Sequence, residues 1–115
     1  MRILIALSPL MYREALALSL YQSRPWAEVT LAPPGELNRQ VRLLRPHLLL
    51  GDEGQEIPPE TLSGIPGRVE VLYNKDGLDA VVSLGGRRSR LKDPDTGDLL
   101  RILDDTYELM LGDAS

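Results

Sequence analysis

The sequence is poor in the residues that most catalytic and metal sites use. Its 115 residues include no cysteine and only one histidine. Without cysteine the chain cannot form a disulfide, a thiolate zinc site or a cysteine nucleophile. The single histidine, His47, opens an apolar run, and we interpret it as a structural residue at a strand end rather than a catalytic base. These absences predict a protein that holds no metal and no cofactor.

Long hydrophobic runs are also missing. The apolar run at residues 3–7 is interrupted by Ser8-Pro9 before it reaches the length of a signal peptide. No later stretch approaches the roughly 20 apolar residues that span a bilayer. We therefore expect a soluble, cytoplasmic protein that has no membrane partner.

Positive charge is in the minority. The chain has 13 lysines and arginines against 17 aspartates and glutamates, a formal charge of −4. A chain of this sign has little to attract the phosphates of nucleic acid, so we expect no nucleic-acid partner. The length fits one domain. We assign residues 1–112 to it and residues 113–115 to a short polar tail.

Strand-like and helix-like patterns alternate through the first half of the chain. Short apolar runs at residues 3–7, 28–31 and 47–50 are typical of buried strands. A helical pattern at residues 37–44 lies between the second and third runs. Because parallel strands need helical crossovers, this order predicts a parallel α/β sheet.

The first helix is predicted to begin at Ser8-Pro9. A hydroxyl residue followed by proline is typical of a helix N-cap and first turn, and we interpret Ser8 as that cap. An apolar stripe of this helix is assigned to residues at helical spacing, Met11, Ala15, Leu18 and Tyr21. Leu16 and Leu20 make the apolar surface broader than that one stripe.

The second half has a different pattern. A fourth strand is predicted at residues 69–73, after at most a short helix at residues 59–62. Two further β-like runs, residues 80–84 and 89–92, flank Gly85-Gly86, where glycine supplies the positive φ of a tight turn. We therefore predict an antiparallel hairpin here, followed by a final helix after Asp93-Pro94.

Several segments resemble one known family. They are Arg2-Ile-Leu-Ile, Arg13-Glu-Ala-Leu, Arg45-Pro-His-Leu-Leu-Leu-Gly-Asp52, Leu91-Lys-Asp93 and Asp98-Leu-Leu-Arg101. Together they resemble a response-regulator receiver domain over about two thirds of the chain. The resemblance implies a flavodoxin-like, doubly wound, mainly parallel sheet. The predicted hairpin would then replace the fourth crossover helix of that fold.

The resemblance also assigns site residues. Asp52 stands where the family has its phosphoacceptor, whereas Leu7 and Ser8 replace the acidic pair that binds Mg²⁺. Tyr73 and Lys92 occupy the two switch positions, and only the lysine matches the family. Mg²⁺ needs oxygen ligands to neutralise a transferring phosphoryl group. The loss of the acidic pair therefore predicts no tight Mg²⁺ site and slow or absent phosphorylation of Asp52.

One basic cluster lies near the hairpin turn, at Arg87, Arg88 and Arg90, and continues to Lys92. Two interpretations stay open. The cluster could bind an anion or an acidic partner, or it could protect an edge strand from unwanted pairing.

These observations lead to one hypothesis and two alternatives. We expect a stand-alone, degenerate receiver-like module that acts by protein–protein interaction, is not an enzyme and forms a homodimer through its hairpin end. The identity of a protein partner is not encoded in the sequence. One alternative is a working receiver phosphorylated on Asp52. The other is a sensor that binds a small anionic ligand at the carboxyl edge of the sheet, between Asp52, Lys92 and the arginines.

Overall fold

Strands and helices follow each other in the predicted order. The computed structural model describes residues 1–7, 10–54, 57–75 and 77–113. Its strands are β1 (Arg2–Ala6), β2 (Glu28–Leu31), β3 (Leu48–Asp52), β4 (Gly67–Asn74), β5 (Gly77–Leu84) and β6 (Arg87–Lys92). Its helices are α1 (Leu10–Ser23), α2 (Leu37–Leu44), α3 (Pro59–Leu62) and α4 (Thr96–Asp113). A single 3₁₀ turn, Pro34–Glu36, precedes α2.

The strands form one mixed sheet with the order β2-β1-β3-β4-β5-β6. The first four strands in that order pair in parallel. β5 and β6 pair antiparallel as a meander on the outer side of β4. The predicted hairpin is therefore confirmed, with longer strands than the sequence suggested.

The hairpin turn has the conformation that its two glycines favour. Gly85 and Gly86 have φ angles of +53° and +83°. A two-residue turn with two positive φ angles has the twist that antiparallel strands need, and glycine adopts it without steric cost. This turn fixes the register in which Leu84 pairs with Arg87.

Each face of the sheet carries its own apolar core. On the front face, α1 and α4 pack on residues such as Ile5, Leu50 and Val69. On the back face, α2 and α3 pack on residues such as Leu4 and Leu49. Because successive strand residues point to opposite faces, the two cores interleave along β1 and β3.

The apolar stripe assigned to α1 does not face the core, whereas the two residues that broaden it do. Leu18 and Tyr21 are 57% and 64% exposed, whereas Leu16 and Leu20 lie in the front core. Leu16 and Leu20 are four residues apart and therefore lie one turn apart on the same side of the helix. Apolar residues lie all round α1, so their spacing did not define one side. The side chain of Met11 lies outside the described part of the chain.

Helices cover the back face unevenly. Among the described residues, the back-face core takes none from β4, β5 or β6. The back-face residues of these strands form three rows in the pairing register. We call this set the open face: Arg68, Ser83 and Arg88; Glu70, Val81 and Arg90; Leu72, Asp79 and Lys92.

Candidate functional site

The carboxyl edge of the parallel strands brings two predicted site residues together. Asp52 ends β3 and Tyr73 lies near the end of the adjacent strand β4. The phenolic hydroxyl of Tyr73 donates a hydrogen bond to Oδ1 of Asp52 over 3.2 Å. Tyr73 is half exposed and Asp52 is partly buried. The phosphoacceptor-like and switch-like positions therefore share a contact at the surface.

Leu7 lies at the same edge of the sheet, at the end of β1. It follows β1 directly, is fully buried and belongs to the front core. Ile5, two residues earlier, pairs with Leu50, two residues before Asp52. The first of the two positions to which the resemblance assigns an acidic residue is thus a core leucine. Ser8, the second of these positions and the predicted N-cap, lies outside the described residues.

Lys92 and Asp52 are kept apart by the hairpin. Strands β4 and β5 lie between β3 and β6, which places the two residues about three strand spacings, or 14 Å, apart. Lys92 also pairs with Asp79 on the open face, whereas Asp52 lies in register with Val71 of the front face. An anion held between Asp52, Lys92 and the arginines would need groups that this topology separates.

No metal centre is formed by the part of the chain that the structure describes. Its residues contain no group of three or more histidine, cysteine, aspartate or glutamate side chains that could hold a metal ion. Glu53, the acid next to Asp52, lies in the turn after β3. Its backbone N–H donates to the carbonyl of Val71.

The basic cluster divides between the two faces of β6. Arg88, Arg90 and Lys92 belong to the open face, because they pair with Ser83, Val81 and Asp79. Arg87 pairs with Leu84 and lines a surface groove with Asp105 and Glu108 of α4. Only three of the four clustered residues can therefore meet the same ligand.

Two acidic residues of the open face form ion pairs with basic neighbours. The carboxylate Oδ2 of Asp79 accepts hydrogen bonds from Nη2 and Nε of Arg90 over 2.7 and 3.2 Å. The side chain of Asp79 is only 13% exposed, while that of Arg90 stays 64% exposed. Arg68 and Glu70 form a longer ion pair of 3.7 Å. The ion pair of Asp79 thus fixes Arg90 on the surface of the sheet.

The open face carries an excess of positive charge. It has four basic side chains and two acidic ones, in a chain whose net charge is −4. Arg88 and Lys92 have no ion-pair partner among the described residues. Sequence patterns do not point to Arg68, Glu70 or Asp79, because only the register of β4, β5 and β6 brings these residues beside the cluster.

A separate groove of about 600 Å³ lies between α2 and α3. Val41 and Ile65 form its apolar side, and Arg42, Arg45 and Glu60 form its polar rim. Arg45 and Ile65 shortly precede β3 and β4, so this groove lies at the end of the sheet opposite the carboxyl edge.

His47 has a structural contact, in agreement with its interpretation. Its Nδ1 accepts a hydrogen bond from the backbone N–H of Arg2 over 3.0 Å. Burial lowers the pKa of His47, and the positive charges of Arg2 and the N-terminus lower it further. The neutral ring is therefore the form that joins β1 to the start of β3.

The chain was compared with protein-family models, curated proteins and solved structures, and none of them matched. Within the described residues, no helix has the length and apolar character needed to cross a membrane.

Proposed function

We propose that this chain is a receiver-like interaction module that binds an acidic protein partner through the open face and does not catalyse metal-assisted phosphoryl transfer. The burial of Leu7 in the front core carries the second part of this proposal. The strand order β2-β1-β3-β4 supports a flavodoxin-like origin of the parallel half.

The chemistry of phosphoryl transfer explains why Leu7 matters. The transferring group carries negative charge that an enzyme neutralises with a metal ion and cationic side chains. Mg²⁺ is held by carboxylates together with waters and phosphate oxygens. Leu7 contributes no ligand, and the lysine of the family pattern lies about three strand spacings from Asp52. Asp52 and Tyr73 alone supply neither the metal nor the cation.

The open face is the surface best suited to a partner. Among the described residues, the back-face core takes none from β4, β5 or β6, and the polar rows of these strands lie exposed or half-buried on that side, Asp79 excepted. The homodimer predicted at the hairpin end would need an exposed apolar surface here. The face is instead charged, with an excess of arginine and lysine. In a symmetric dimer the same patch meets itself, so two such faces would repel each other.

The test of phosphorylation uses a small phosphodonor. The protein is incubated with acetyl phosphate and Mg²⁺, and its intact mass is followed, with Asp52→Asn as the control. We expect no adduct on either protein within the time that a working receiver needs. A prompt and nearly complete adduct that disappears in Asp52→Asn would overturn the proposal in favour of a working receiver.

A further inference from the structure

We propose that β6 accepts an antiparallel strand from the partner, an extended segment with acidic side chains at every second position. This inference rests on the proposed function, because it gives the acidic partner a binding mode on the open face. It follows from two independent properties of β6. One is the direction of its backbone groups and the other is the position of its basic side chains.

The backbone of β6 offers hydrogen bonds on its outer side. The N–H of Asp93 donates to the carbonyl of Leu78 over 3.0 Å, so position 93 directs its backbone toward β5. In antiparallel strands this direction alternates from one residue to the next. Residues 91, 89 and 87 therefore also point toward β5. The N–H and C=O groups of Arg88, Arg90 and Lys92 point away from the sheet, where β6 is the last strand.

The same three residues place their side chains on the open face. Arg88, Arg90 and Lys92 pair with the open-face residues of β5. Directly opposed residues of two strands have side chains on the same face and within contact distance. A strand that bonds to the backbone of these three residues therefore places three of its own side chains beside them.

The charge of β6 indicates that the three side chains of the added strand are acidic. Alternate residues of a strand recur about every 6.8 Å, so acids at every second position match the three basic residues in spacing. Arg88 and Lys92 have no ion-pair partner in the described ranges, and Arg90 keeps most of its side chain exposed. An acidic strand would supply partners for Arg88 and Lys92 and a second carboxylate for Arg90.

The same residues argue against a second copy of this chain. Antiparallel pairing of two β6 strands about Arg90 would oppose Arg90 to itself and Arg88 to Lys92. Like charges directly opposite each other destabilise a strand pair. Basic residues on an edge strand are known to prevent such pairing. Here the basic residues disfavour pairing with the β6 strand of a second copy, whereas an acidic strand can still pair with β6.

The experiment uses a synthetic seven-residue peptide that alternates threonine and glutamate, added to the isotope-labelled protein. We expect saturable chemical-shift changes on β6 and slower amide exchange at Arg88, Arg90 and Lys92, by about threefold or more at saturation. A peptide of the same composition with its three glutamates contiguous is the matched control and binds more weakly. Binding weakens with added salt, since exposed charges are screened.

Backbone pairing is tested with N-methylated peptides. In the antiparallel arrangement the glutamate N–H groups bond to β6, and the threonine N–H groups point outward. Methylation of the glutamate nitrogens should abolish binding, whereas methylation of the threonine nitrogens should leave it in place. Equal binding of the two methylated peptides would overturn strand addition.

Side-chain recognition is tested with neighbouring arginines. Arg88→Glu should lower the affinity for the alternating peptide about tenfold, because one ion pair becomes a repulsive pair. Arg87→Glu changes the net charge equally on the other face of β6 and should leave the affinity within about twofold. Equal losses in both variants would show a general charge effect and overturn the assignment.

The outcomes separate this inference from the proposed function. Peptide binding without slower exchange at Arg88, Arg90 and Lys92 would overturn strand addition while the open face remained a binding surface. Absence of peptide binding at millimolar concentration would leave the basic residues as edge protection alone. A prompt phosphoryl adduct on Asp52 would overturn the proposed function without reference to β6.

Discussion

The hydroxyl of Thr106 lies directly over Gly67, at the point where α4 crosses the start of β4. Thr106 is fully buried, and its Oγ1 donates a hydrogen bond to the carbonyl of Ile102 over 2.8 Å. A Cβ atom on Gly67 would lie 2.8 Å from that oxygen and 3.0 Å from methyl groups of Leu48 and Leu84. Only a residue without a side chain lets α4 approach the sheet this closely.

Gly67→Ala is therefore expected to lower the free energy of unfolding by about 2 kcal/mol, because the added methyl group overpacks the front core. Gly64→Ala is the control, since nothing lies within 4 Å of a Cβ at that position. Urea unfolding of the two variants measures the difference. Equal stabilities would contradict the close approach of Thr106.

Leu7→Asp is expected to destabilise the protein by more than about 3 kcal/mol, because it places an uncompensated charge in the front core. The asparagine of Leu7→Asn has the same shape as the aspartate but no charge, so this variant should lose less stability at neutral pH. Burial raises the pKa of a carboxyl group, so the gap between the two variants should narrow as the pH falls toward 4. Unfolding curves at two pH values test this.

Addition of Mg²⁺ to Leu7→Asp provides a second readout. We expect millimolar Mg²⁺ to restore none of the lost stability, because one added carboxylate in an apolar core does not form a metal site. A rise in thermal midpoint specific to Mg²⁺, absent from Leu7→Asn, would show that the edge retains a metal-binding geometry.

The fold could be predicted from the sequence where local signals agree with each other. The apolar runs of β1 and β3, the proline after α2 and the paired glycines at Gly85-Gly86 each specify an element without knowledge of its neighbours. The buried side of α1 could not be predicted in this way. Leu16 and Leu18 are equally apolar, and only the position of the sheet decides which of them is buried.

The sequence points to some residues of the candidate site but does not predict how they are grouped. The resemblance to receiver domains points to Asp52 and Lys92, yet β4 and β5 lie between their strands and separate them across the sheet. The ion pair between Arg90 and Asp79 joins residues of two strands whose pairing depends on the turn between them. Such contacts arise from strand register, which single-residue patterns do not specify.

Arg24 fixes the end of α1 to α4 through a two-point contact with Asp104. Its Nε and Nη2 donate to Oδ1 and Oδ2, each over 2.8 Å. The hydrogen bonds from Arg24 lower the pKa of Asp104, and the positive charge adds to this against the opposing effect of burial. Stability from this contact is present above the unfolded-state pKa of aspartate, about 3.9, and is lost as the pH falls through the lower folded-state pKa.

Asp104→Asn should therefore be less stable than the parent protein at pH 7, and the difference should shrink below about pH 4. Thermal unfolding across this range measures it. The control is Asp105→Asn, which removes the same charge from an exposed neighbour. Asp105 has no ion-pair partner among the described residues. A pH-independent loss in Asp104→Asn would show that packing, rather than the ion pair, is responsible.

His47 gives the stability of the protein a second pH dependence. Here the fold favours the neutral form of the side chain, whereas for Asp104 it favours the charged form. The pKa of His47 is lowered in the folded state, first by burial and then by Arg2, so protonation favours the unfolded chain. Full stability is present above the unfolded-state pKa of about 6.5 and declines as the pH falls from there to the folded-state value. Below that value the contribution no longer changes.

His47→Asn keeps a side-chain acceptor for the N–H of Arg2 and removes the titration. We expect the parent protein to lose more stability than this variant between pH 7.5 and pH 5.5, values that bracket the ordinary histidine pKa of about 6.5. The comparison cancels the titration of the carboxylates, which both proteins share. Identical pH profiles would contradict the role of the neutral ring.

The meander of β4, β5 and β6 has a consequence for the folding pathway. Residues 75–76 and Gly85-Gly86 are the only connections within it, so its three strands can pair with little loss of loop entropy. The parallel strands pair residues that are far apart in the chain, such as Ile3 and Leu48. Because low contact order favours fast folding, we expect the meander to be structured in the folding transition state before β1 docks. The arginine-rich edge would then be assembled before the parallel half of the sheet is complete.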